Sequence, residues 1–153
     1  MSLNILWLGT LSIDGNISKK SSESPAAKRF QNSFIKAFLN LNNKVTIFSY
    51  NPYPLWPRGP FYVHCYKKKF KYFYQINTNY INLPLIREFS IFIGFLFSNK
   101  LSDLLKYDLV ISYNESFQNL IFGFLLQILG KKWLSIFAEG IKTKNISNNI
   151  LHL

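Results

Sequence analysis

Leu3-Asn4-Ile5-Leu6-Trp7-Leu8 is a near-continuous apolar run that stops at Gly9. A short run without polar alternation suits a strand covered on both faces, the setting of a parallel sheet with helices above and below it. Similar runs return at Val45-Thr46-Ile47-Phe48-Ser49-Tyr50, at Tyr107-Asp108-Leu109-Val110-Ile111-Ser112-Tyr113 and at Trp133-Leu134-Ser135-Ile136-Phe137-Ala138. Phe61–Tyr66 and Tyr80–Leu83 are shorter strand candidates.

Helical patterns fill the intervals. Ser24 is an N-cap residue and Pro25 suits the first helical position. Ala27, Phe30, Phe34, Phe38 and Leu41 then recur every three or four residues as one apolar stripe, and Asn42-Asn43 ends it. Pro84 can open a second helix running to about Lys106, with Gly94 as its weak point. Glu115–Leu129 reads as a helix apolar nearly all round, ended by Gly130. Strands alternating with helices make this an α/β chain: a Rossmann-like parallel sheet with helices on both faces and right-handed crossovers. The domain is expected to cover residues 1–140, and the polar stretch 141–153 to be a loosely ordered tail.

The 153 residues carry a net charge of +11, which invites an anionic partner. Lysines outnumber arginines 15 to 3, and Phe, Ile, Asn and Tyr are abundant too, so AT-rich coding is a competing source of the basicity. Cys65 is the sole cysteine, which excludes an internal disulfide and fits a reducing cytoplasm. Met1-Ser2-Leu3-Asn4 lacks the basic start of a secretory signal. The longest apolar stretches, Phe89–Phe97 and Leu120–Leu129, fall short of the ~18 residues that span a bilayer and are expected to be buried helix. His64, His152 and Cys65 lack the spacing of a metal site, and no metal is expected.

In sheets of this kind the ligand sits at the carboxyl ends of the strands. The candidate loops are therefore Gly9–Gly15, Asn51–Gly59, Tyr113–Phe117 and Glu139-Gly140. Gly9 and Gly15 allow close backbone approach to a phosphate or sugar, although their separation does not fit a dinucleotide fingerprint. Arg29 follows a helix N-terminus aimed at the same edge, where anionic groups are favoured. Pro52-Tyr53-Pro54-Leu55-Trp56-Pro57-Arg58-Gly59 sets an aromatic face, Trp56, and a cation, Arg58, on a stiff loop suited to a sugar ring. Glu115 and Glu139 are the acids at strand ends, either able to serve as a general base or to hold an acceptor hydroxyl. Asp108 lies at the opposite end of the sheet and is read as structural.

Tyr66-Lys67-Lys68-Lys69-Phe70-Lys71-Tyr72-Phe73-Tyr74 interleaves cations with aromatics. Three readings fit it: a solvated sheet edge, a contact with anionic membrane through Lys67, Lys68, Lys69 and Lys71, or a track for single-stranded nucleic acid. No other nucleic-acid motif accompanies it, so nucleic acid ranks last.

The ordered set Ile5-Leu6-Trp7-Leu8-Gly9, Ser24-Pro25-Ala26-Ala27-Lys28-Arg29-Phe30-Gln31, Trp56-Pro57-Arg58-Gly59, Tyr107–Tyr113 and Lys132–Gly140 resembles the N-terminal domain of family-4-like, GT-B-fold glycosyltransferases. The resemblance implies retaining transfer of a sugar from a nucleotide-sugar donor to a glycan or lipid-linked acceptor. It implies two Rossmann-like domains facing across a cleft, this one on the acceptor side, in the cytoplasm and at the inner membrane face for lipid-linked acceptors. Gly9 would match the first glycine loop near the donor phosphates, and Glu139 the polar residue near the reacting sugar. The basic residues and paired glutamates that hold the donor belong to the C-terminal domain, which has no counterpart in these residues. The chain is therefore expected to bind no cofactor itself and to be inactive alone, as a truncated product, a subunit completed by a separate donor domain, or a stand-alone module, with truncation foremost. The rival to sugar transfer is a non-catalytic module that uses residues 66–74 on anionic membrane or nucleic acid.

Overall fold

The computed structural model describes residues 2–11, 24–98, 101–114 and 116–137. Strand β1 (Asn4–Gly9) is followed by helix α1 (Pro25–Asn40), β2 (Lys44–Ser49), β3 (Tyr62–Val63), β4 (Tyr66–Lys69), β5 (Phe73–Asn77) and β6 (Tyr80–Ile81). Helices α2 (Ile86–Ser98) and α3 (Leu101–Leu104) lead to β7 (Leu109–Tyr113), α4 (Phe117–Ile128) and β8 (Lys132–Ile136). The chain is α/β, with a six-stranded sheet in the order β4-β5-β2-β1-β7-β8. Five strands are parallel; β4 is antiparallel to β5 and forms one edge. β3 and β6 make a separate antiparallel ribbon.

Strand β1 is central because its side chains are apolar in both directions. Ile5 and Trp7 join a cluster with Ile35, Ile47 and Ile111, and α1 packs there. Leu6 and Leu8 join the opposite cluster, where α2 and α4 contribute Ile91, Phe95, Phe122 and Leu126. Helices thus cover both faces. Each fully buried side chain of this size contributes about 1.5–3 kcal/mol.

Helix α1 begins as its sequence requires: Ser24 Oγ accepts the Ala27 N–H at 3.1 Å, and Pro25 opens the first turn. It ends at Asn42, whose φ of 58° is the left-handed setting asparagine tolerates. The buried face centres on Gln31 and Ile35, whereas Phe30 and Leu41 of the expected stripe are 40% and 69% exposed. The helix is rotated so that Gln31 meets Trp7, a partner that periodicity within α1 cannot reveal. Asp108 is structural, its carboxylate accepting the Asn4 N–H at 2.8 Å.

Three expectations need correction. Residues 66–77 form a hairpin, β4 and β5, whose second strand enters the main sheet, and Phe61–Tyr66 divides between β3 and β4. Pro84 does not open a helix: Pro84-Leu85 is a turn, Leu85 has φ 66°, and α2 starts at Ile86. The two long apolar stretches are helical but only half buried. Phe89, Phe97, Phe124 and Ile128 are exposed, because each helix turns one apolar face inward and nothing among the described residues covers the other. Gly130 ends α4 as expected, with φ 78° and its N–H on the Gln127 carbonyl at 2.9 Å. Among the described residues no helix is long and apolar enough to cross a membrane.

Candidate functional site

The parallel strands follow the chain in the spatial order third, second, first, fourth, fifth, so the direction of travel reverses between β1 and β7. Ligands of doubly wound sheets enter beyond the carboxyl ends of the two strands flanking such a reversal. A cavity of about 440 Å³ lies by the end of β7, lined by Ser24, Ala26, Ala27, Phe30, Tyr113, Asn114 and Phe137. That volume is in the range of small-molecule sites.

The cavity is built by three elements. The first turn of α1 brings Ser24, Ala26 and Ala27, so the positive end of the helix dipole borders the space. Phe30, one turn on, packs at 4.9 Å from Phe34 and 5.7 Å from Tyr113, ring centre to ring centre, and keeps part of its surface open. The ends of β7 and β8 bring Tyr113, Asn114 and Phe137; Asn114 takes φ 56°, turning the chain sharply. The wall thus pairs aromatic surface with a hydroxyl, an amide and a helix N-terminus. Such a wall can hold a ring with polar substituents or an anionic group.

The carboxyl edge is also rich in buried amides. Ser49 Oγ and Asn77 Oδ1, at the ends of β2 and β5, are 2.6 Å apart. Gln75 donates from Nε2 to Ser49 Oγ at 3.1 Å and to the Leu11 carbonyl at 2.9 Å, tying the segment after β1 to the sheet. Asn119 Nδ2 lies 3.4 Å from the Tyr113 and Asn114 carbonyls. Asn51 Oδ1, Asn77 Nδ2, Ser116 Oγ, Asn119 Oδ1 and both side-chain polar atoms of Gln118 are buried without a partner among the described residues. Polar groups of this kind are costly in a domain interior unless water or a ligand completes their hydrogen bonds.

Comparison with known proteins finds no matching family model, no matching curated protein and no matching solved structure.

The expected site residues separate into groups. Gly9 is buried at the end of β1, and the room a Cβ would need is filled by the Gln31 side-chain oxygen and the Trp7 indole. Arg29 lies on the exposed side of α1, outside the cavity lining. Trp56 and Arg58 are exposed on the proline-rich loop, away from that lining, and Trp56 meets Phe61 edge-on at 6.4 Å between ring centres. Asn82 holds this loop, donating from Nδ2 to the Pro54 and Pro60 carbonyls at 2.7 and 2.9 Å. Gly15, Glu115 and Glu139 lie outside the described residues.

Lys67, Lys68 and Lys69 occupy the edge strand β4 and are exposed. Side chains alternate along a strand, so Lys67 and Lys69 point to one side of the sheet and Lys68 to the other. Lys68 Nζ sits 5.3 Å from the Phe70 ring centre, and Lys71 Nζ 4.9 Å from that of Tyr72. Lysines at an edge also discourage pairing with another chain. No group of three or more His, Cys, Asp or Glu among the described residues could hold a metal ion.

Sequence reasoning placed Phe30 on the apolar stripe of α1, and Phe30 and Gln31 in the Ser24–Gln31 motif, without giving either a role in the site, and did not single out the amides Gln75, Asn77, Gln118 and Asn119. The available signal was polar residues interrupting apolar runs: Gln75 and Asn77 flank Ile76, and Gln118-Asn119 opens an otherwise apolar helix.

Proposed function

We propose that the chain is the acceptor-side domain of a GT-B-type glycosyltransferase, which moves a sugar from a nucleotide-sugar to a glycan or lipid-linked acceptor once a donor-binding domain faces it. The observation that carries this reading is the cavity beside the strand reversal, bounded by the α1 N-terminus, Phe30, Tyr113 and Asn114. An aromatic face favours the apolar side of a sugar ring, while the helix N-terminus and the amide favour hydroxyl or phosphate oxygens. On this reading Glu139 and Glu115, both at strand ends in the sequence, are the carboxylates to test for handling the acceptor proton. The enzyme then works in the cytoplasm, at the inner membrane face when its acceptor is lipid-linked.

The test is amide-resolved NMR titration of the chain with UDP, UDP-glucose, GDP-mannose and free disaccharides. Saturable shifts at Ser24–Phe30 and Tyr113–Phe117 support the reading. If none of these ligands moves those amides, the crevice is not a sugar or nucleotide site and the proposal fails.

A further inference from the structure

A second depression lies between α2 and the β3–β6 ribbon. It is a groove of about 400 Å³, lined chiefly by Tyr62, Ile86, Phe89, Ile93 and Phe97. Its floor is firmly built. Ser90 Oγ accepts the Ile81 N–H at 3.0 Å, which fastens α2 to the ribbon. Gly94 packs against Thr78 and Asn79 so closely that no Cβ would fit. Its rim is open: Phe89 is 61% and Phe97 83% exposed. Contiguous exposed apolar surface, unlike singly scattered residues, is a mark of interaction sites.

A polar recess of about 420 Å³ adjoins the groove. The two share Tyr62, Asn79 and Phe97, and the recess adds His64, Cys65, Lys67 and Ser98. At their junction Asn79 Nδ2 donates to the Tyr62 hydroxyl at 2.9 Å. Lys67 is the single formally charged side chain among the described residues that line either space. The carboxylate of the adjoining helix, Glu88, is held by Arg87 at 2.9 Å, and Lys67 is in no ion pair among the described residues.

We infer that groove and recess together bind one anionic amphiphile. Its apolar chain lies along α2 against Phe89, Ile93 and Phe97, and its phosphate or carboxylate head meets Lys67 beside Asn79. The arrangement complements such a molecule at both ends: apolar surface is removed from water at one, and a cation meets an anion at the other. This site is separate from the crevice beside β7 and does not depend on the transfer reading.

The experiment titrates the chain with dispersed octyl, decyl and dodecyl phosphate, with the matching alcohols, and with inorganic phosphate, read by calorimetry and amide NMR. Each added methylene should tighten binding about fourfold until the groove is full. The phosphates should bind tighter than the alcohols, with shifts at Tyr62, Asn79 and Phe97. Phe89→Ser with Phe97→Ser, both at exposed positions, should abolish the chain-length dependence. Lys67→Gln should reduce the preference for phosphate over alcohol about two- to fivefold while leaving that dependence intact. Affinity independent of chain length, or alkyl phosphates no better than inorganic phosphate, would each overturn the inference. Shifts confined to Ser24, Tyr113 and Asn114 would place the ligand in the crevice and overturn it as well.

Discussion

Trp7 donates its indole N–H to the side-chain oxygen of Gln31 at 3.1 Å, and both residues are fully buried between β1 and α1. That same oxygen fills the space above Gly9. One glutamine thus sets the helix rotation, pairs the indole and explains the small residue at the strand end. Gly9→Ala is expected to destabilise the chain by ~1–3 kcal/mol through overpacking. Gln31→Ala should cost about as much, because it leaves the indole N–H unpaired. The double variant should cost less than the two together, since removing Gln31 makes room for the new methyl group. Urea unfolding of the four proteins checks this.

Phe30 offers its partly exposed ring to the crevice while packing on Phe34 and Tyr113. Phe30→Ala should weaken sugar or nucleotide-sugar binding about three- to tenfold, the range of one aromatic contact. Phe30→Tyr should restore most of the affinity. Calorimetric titration of both variants, with thermal unfolding as a control for the lost packing, separates binding from stability.

Asn82 clamps the proline-rich loop through two carbonyls, and its own carbonyl accepts the Trp56 N–H at 3.1 Å. Asn82→Ala should cost ~1–3 kcal/mol, because the Pro54 and Pro60 carbonyls lose their donor. Cleavage by trypsin after Arg58 should become faster in the variant than in the parent at equal global stability, adjusted with urea. Unchanged cleavage would mean the prolines alone hold the loop.

Tyr80 is buried, and its hydroxyl donates to the Asn51 carbonyl. Burial raises its phenol well above the usual tyrosine value, and burial raises Tyr107 in the same direction. The folded chain therefore keeps these protons over a range in which the unfolded chain releases them. Their stabilising effect is complete below about pH 10 and is lost as pH rises toward the folded values, by up to about 1.4 kcal/mol per pH unit for each group. Tyr80→Phe should shallow that alkaline decline. Urea midpoints from about pH 8 to about pH 11 measure both slopes.

The legible parts of the fold are those written in local chemistry. Ser24-Pro25 opens a helix and Gly130 closes one wherever the rest of the chain lies. The apolar strands announced a parallel sheet because no half-exposed strand has their composition. The hairpin of β4 and β5 was hidden, since its turn at Phe70-Lys71-Tyr72 contains none of the residues that mark turns. The rotation of α1 was equally hidden, because it depends on Trp7, 24 positions away from Gln31. For the site, strand ends could be nominated from sequence, but only the folded chain brings Phe30 to Tyr113. The sequence likewise could not say that Trp56 and Arg58 lie outside the crevice lining, because proximity across the carboxyl edge is a property of strand order.

The central place of β1 has a consequence for how the chain acquires its shape. Ile5 pairs beside Val45 on one flank and beside Leu109 on the other. During synthesis β1 can close one ladder early, but its other flank must wait for residues more than a hundred positions later. Until then a strand of Ile, Leu and Trp presents an unpaired edge, the kind of surface on which nascent chains associate wrongly. Closing that ladder demands a long loop, which slows folding. The order of strands that creates the crevice therefore also sets the interval during which the growing protein most needs shelter.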